Sequence, residues 1–116
     1  MSSESKFESA LAAIVGGEHV IAGDAPEAAD FCHDEALTAA PQTPAWVVSP
    51  GSAEQVAELL ALATKEGFPV TARGSGSGLA GAGVAPEGGV IIAMRRMNKI
   101  LSIDEVNHVA VVEPGV

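Results

Sequence analysis

Residues 73 to 83 read Arg73-Gly74-Ser75-Gly76-Ser77-Gly78-Leu79-Ala80-Gly81-Ala82-Gly83, and five of these eleven positions are glycine. Such a density excludes a regular helix or strand across the stretch, because each glycine loses the most backbone entropy on ordering. Glycine also accepts positive φ and lets the backbone approach a ligand closely. Consecutive N–H groups turned toward one point form a nest for an anion. Ser75 and Ser77 add hydroxyl donors, and Arg73 adds a charge that cannot be titrated away. The reading is a diphosphate cradle; a mobile glycine-rich surface loop is the alternative on composition alone.

The kind of cradle follows from its neighbours. Gly76 to Gly81 match G-x-G-x-x-G, a weak signal by itself, and the dinucleotide fold needs those glycines to open a helix. Here Val84-Ala85-Pro86-Glu87-Gly88-Gly89 follows, and the next apolar run, residues 90–94, reads as a strand. No Lys-Ser or Lys-Thr follows the glycines, so a Walker loop fails as well. What remains is strand, glycine loop, strand, with the anion held by backbone N–H groups and no helix dipole.

The preceding segment supplies the clearest helix. Ser52-Ala53-Glu54-Gln55 fits a capping box, and Val56, Leu59, Leu60 and Ala63 form an apolar stripe. Gly67 and Pro69 end it. Strand 46–48, helix 53–66 and strand 69–73 therefore make a β-α-β unit with parallel strands. The glycine loop falls at the carboxyl end of the second strand, where open α/β sheets bind ligands. Residues 100–103 and 109–112 flank a polar link and read as an antiparallel hairpin. Earlier, residues 4–15 have helical spacing and stop at Gly16-Gly17, residues 19–22 read as a short extended piece, and 26–37 as a weak helix. The fold class expected is α/β (α+β): a small β-α-β sheet plus a C-terminal hairpin, with a helical leader over 1–43 and a ligand-binding part over 44–116.

At 116 residues with 47% hydrophobic content the chain supports one small domain. Three Phe and one Trp make its core mostly aliphatic. The net charge of −9 argues against nucleic acid as a partner. The acidic excess lies wholly in residues 1–72, while 73–116 are balanced, so an anion meets less repulsion beside the glycine loop. The single cysteine, Cys32, excludes an intrachain disulfide and points to the cytoplasm. No signal-like leader or apolar stretch of membrane-spanning length appears. His19, His33 and His108 lack metal-ligand spacing. Cys32-His33-Asp34 is no nucleophile set, because neighbours on a helix point in different directions. Arg95 and Arg96 fit a solvated turn better than a phosphate contact, and no role attaches to Asp34.

Several pieces occur together in a recognisable order: Trp46-Val47-Val48-Ser49-Pro50, Pro69 to Gly81, Gly88 to Met94, Arg96-Met97-Asn98-Lys99-Ile100-Leu101 and Val112-Glu113-Pro114-Gly115-Val116. Over residues 44–116 the chain resembles the N-terminal part of PCMH-type FAD-binding flavoproteins. Among them it is most similar to FAD-linked 2-hydroxy-acid oxidases and dehydrogenases of the glycolate oxidase and D-lactate dehydrogenase type.

The resemblance implies that Arg73, Gly74, Ser75, Gly76, Ser77 and Gly78 wrap the FAD diphosphate. It places Leu79 and Gly81 on the loop's far wall, and Pro114, Gly115 and Val116 at a later turn beside the cofactor. The loop carries no His, which implies noncovalent FAD. Catalytic residues, any metal ligands and the hydroxy-acid site would lie in a part beyond Val116, so that the chain is expected to be a fragment without turnover of its own. Two other readings stay open. One is a flavin reductase like the UDP-N-acetylenolpyruvoylglucosamine reductases. The other is a non-catalytic nucleotide-binding or interaction domain, in which strand 109–112 offers an open edge for a homo-oligomer.

Overall fold

The computed structural model describes residues 3–37 and 39–116. Its main sheet is built around β4 (Val90–Ala93), whose four residues are all buried. β4 pairs in parallel with β2 (Trp46–Val48) on one side and with β3 (Val70–Arg73) on the other. β1 (Val20–Ala22) adds antiparallel to β2, giving the order β1-β2-β4-β3. The β-α-β unit is thus present with its strands parallel, but β4 is inserted between β2 and β3. The Val90-Ile91-Ile92 run is apolar at every position, which suits a central strand covered on both faces.

Strand periodicity divides the core in two. Val48, Val90 and Ile92 pack on one face with Leu11, Val15 and Leu59. These last three come from α1 (Ser3–Val15) and α2 (Ala53–Glu66). Val47, Ile91 and Ala93 face the other way and meet Ala28 and Ala85, with Ile21 and Phe31 at the margin. Each large aliphatic side chain buried this way stabilises by about 1.5–3 kcal/mol. The rings of Phe7 and Phe68 meet edge-on at 4.7 Å, joining α1 to the segment after α2. The leader therefore contributes an edge strand and a helix to the same sheet that carries the glycine loop.

α2 begins and ends as its sequence predicts. Ser52 Oγ accepts the Gln55 N–H at 3.2 Å, and Gly67 takes the left-handed conformation with its N–H on Ala63 O. The return contact of the capping box is shifted by one residue, since Gln55 Oε1 accepts the N–H of Gly51. The apolar stripe is also rotated from the expected one. Leu59 and Ala63 are buried and Leu62 packs on the core, whereas Leu60 is 47% exposed.

The helix expected over 26–37 is corrected to a 3-10 helix over Pro26–Phe31. Beyond it the chain leaves helical geometry, because local and distant groups compete for the backbone. The Asp34 carboxylate takes the N–H of Ala36 at 2.8 Å, and Glu35 donates its N–H to Gly78 O. These bonds divert the segment toward the glycine loop.

After β4 a 3-10 turn, Met94–Arg96, leads to a separate two-stranded sheet of β5 (Ile100–Asp104) and β6 (Val109–Val112). Its link is held by Asp104, whose carboxylate accepts the N–H groups of Val106 and Asn107 and the Asn107 side-chain amide. Both strands of this hairpin are exposed along their whole length.

Candidate site at the glycine loop

The loop leaves β3 at Arg73, and register decides where the Arg73 side chain goes. Arg73 is the partner of Ala93 in the parallel ladder, and Ala93 packs on the face that carries Ala28 and Phe31. Arg73 therefore enters that face rather than solvent. It is 7% exposed, and its guanidinium donates to Gly83 O at 3.1 Å and Asp30 O at 2.8 Å. The Phe31 ring lies 5.4 Å from the Arg73 guanidinium carbon and 5.6 Å from that of Arg95. The charge expected at the loop entrance thus sits beneath the loop and braces it.

Residues 74–83 form bends and turns without helix, as the glycine spacing requires. Gly76 and Gly81 have φ of 77° and 79°, the left-handed region that glycine enters without penalty. Gly76 also lies directly against the Arg73 guanidinium, which occupies the space a Cβ there would need. Ser75 Oγ and Ser77 Oγ share one hydrogen bond at 2.9 Å, which leaves the second hydroxyl proton of the pair for another acceptor.

Asp34, the run from Ala72 to Gly78, and Ala82 with Gly83 enclose a concavity of about 220 Å³ at the carboxyl end of β3. The structure thereby brings together the six expected residues Arg73 to Gly78. Among the described residues, the N–H groups of residues 75–80 donate no hydrogen bond. This row of unengaged donors beside two hydroxyls suits an anion with several acceptor oxygens, which is the chemistry of a diphosphate.

Asp34 is the residue that sequence reasoning missed. It is 9% exposed, and its Oδ2 accepts the Gly83 N–H at 3.3 Å across 49 positions. The Ala36 N–H, and then the Gly83 and Gly81 N–H groups and the Arg73 charge, hold its carboxyl below the ordinary aspartate range against the opposing effect of burial. The available signal was an acidic residue at the end of a weakly helical segment, which by itself names no partner.

The remaining expected site residues do not line this concavity. Leu79 is 79% exposed, and Gly81 packs toward Ala39. Pro114, Gly115 and Val116 follow β6 and sit against the Met94–Arg96 turn, with the Gly115 N–H on Met97 O. Arg96 donates to Ser49 O at 2.7 Å and so ties that turn to the end of β2. Among the described residues, no group of three or more His, Cys, Asp and Glu could hold a metal ion, and no helix is long and apolar enough to cross a membrane.

A family described as "FAD binding domain" matches residues 44–116. The chain is 50% identical over 113 residues to an uncharacterized FAD-linked oxidoreductase of Mycobacterium tuberculosis, covering 97% of this chain and 24% of that protein. It is 39% identical over 87 residues to a D-lactate dehydrogenase of Anaerostipes hadrus, covering 75% of this chain and 18% of that one. Among solved structures, 4-ethylphenol oxidase from Gulosibacter chungangensis superposes with a TM-score of 0.82 and 31% identity, over 100% of this chain and 23% of that one. The chain spans about a quarter or less of the length of these three proteins.

Proposed function

The chain belongs to the FAD binding domain family, and from that premise we propose that it is the diphosphate-gripping part of a flavin-dependent oxidoreductase acting on a 2-hydroxy acid of the D-lactate or glycolate type. The observation that carries this reading is the row of unengaged N–H groups at residues 75–80 beside the Ser75 and Ser77 hydroxyls. These donors would hold the FAD diphosphate, with Gly74, Gly76 and Gly78 allowing its close approach. Arg73 acts from beneath by fixing the loop, and Pro114, Gly115 and Val116 border the cofactor from the turn after β6. FAD, when bound, supplies the two-electron redox chemistry. The role of this stretch is to bind and orient it. The loop has no His, so the cofactor is held noncovalently, and the single cysteine suits work in the cytoplasm.

The substrate class rests on likeness to a D-lactate dehydrogenase, set against a 4-ethylphenol oxidase that shares the fold. Titration of the complete gene product with FAD should quench flavin fluorescence, and D-lactate or glycolate should reduce a dye acceptor. Absence of flavin binding overturns the cofactor assignment. Flavin binding with NADPH oxidation and no hydroxy-acid turnover overturns the substrate assignment alone.

A further inference from the structure

We propose that Asp34 is a positioning residue for the glycine loop, and that the segment around it, outside the family match, is a built part of the cofactor site. The inference rests on the flavin reading above and goes beyond it to residues that the matched region does not contain. Gly83 is held at both of its polar backbone groups. Its N–H goes to Asp34 Oδ2 at 3.3 Å, and its carbonyl takes the Arg73 guanidinium at 3.1 Å. The same guanidinium reaches Asp30 O at 2.8 Å, and the Glu35 N–H donates to Gly78 O at 3.0 Å.

These bonds engage the outgoing arm of the loop and leave the donors at 75–80 free. A loop with five glycines would otherwise lose much conformational entropy on closing around an anion. Asp34 and Arg73 meet that cost during folding, before a ligand arrives. The placement is informative because a carboxylate in the wall of an anion site repels the anion. Positioning and simple charge therefore predict opposite signs when the charge is removed.

The test is the affinity of the complete gene product for FAD and for ADP, with Asp34 intact and with Asp34→Asn, at one salt concentration. Positioning predicts that both ligands bind about tenfold more weakly to the variant, the size of one charge-assisted hydrogen bond. Equal or tighter binding overturns the proposal, because it leaves Asp34 as a wall charge only. Amide hydrogen exchange without ligand provides a second readout. Exchange at Gly83 should accelerate about tenfold in Asp34→Asn while the β4 amides stay protected. Unchanged exchange at Gly83 overturns the clasp even where the wild type binds neither ligand, an outcome that would separately defeat the flavin reading.

Discussion

The guanidinium of Arg73 fills the space that a side chain on Gly76 would require, and Gly76 holds a φ of 77°. Gly76→Ala therefore meets two obstacles, a left-handed backbone and a braced cation that cannot move without releasing Gly83 and Asp30. The variant should lose about 1–3 kcal/mol of stability, measured by denaturant unfolding. A loss below about 0.5 kcal/mol would mean that the brace is loose.

Gly78 offers the contrast, since a Cβ there meets nothing within 4 Å and its φ is not positive. Gly78→Ala should leave stability within about 0.5 kcal/mol of wild type. Its FAD affinity should nevertheless fall, because in the proposed site the diphosphate approaches the backbone itself. An unchanged affinity places the ligand elsewhere.

Gly115 packs so closely on the carbonyls of Met94 and Met97 that a Cβ would collide with backbone. Gly115→Ala should destabilise by about 1–3 kcal/mol, read from the thermal midpoint and its calorimetric enthalpy.

The helix cap gives a smaller and more local effect. Ser52→Ala removes the acceptor of the Gln55 N–H and should cost about 1 kcal/mol. Ser52→Asp should recover most of it, and equal losses in both variants would show that the cap is not the cause.

Acid should act through Asp104 as well as Asp34. The Asn107 side chain, and then the backbone N–H groups of Asn107 and Val106, hold the Asp104 carboxyl below its ordinary value of 3.8. A depressed folded-state pKa contributes stability above the unfolded value, and that contribution is lost as pH falls through the folded one. The difference in stability between wild type and Asp104→Asn should be constant above about pH 5 and shrink below 3.8. A difference that grows in acid would contradict the assignment.

What is legible in the sequence is local. The cap and stop of α2 depend on residues a few positions apart, and the glycine spacing excludes helix after β3. The insertion of β4 between β2 and β3 is not legible, because two apolar strands can neighbour either way until the whole sheet is assembled. Asp34 is hidden for a related reason, since its partner Gly83 lies 49 positions away and neither residue advertises the other. Arg73 belongs visibly to the loop, but its direction does not follow from its neighbours in sequence. Ladder register with Ala93 turns it inward, beneath the loop instead of toward its mouth.

The most direct test of the central claim is the glycine-selective nitrogen–proton NMR spectrum of the complete gene product, recorded with and without FAD. Hydrogen bonding to the diphosphate predicts that the Gly76 and Gly78 amide resonances shift on saturation while those of Gly16, Gly17 and Gly67 stay in place. FAD that binds without moving the two loop amides, or that does not bind at all, would contradict the account.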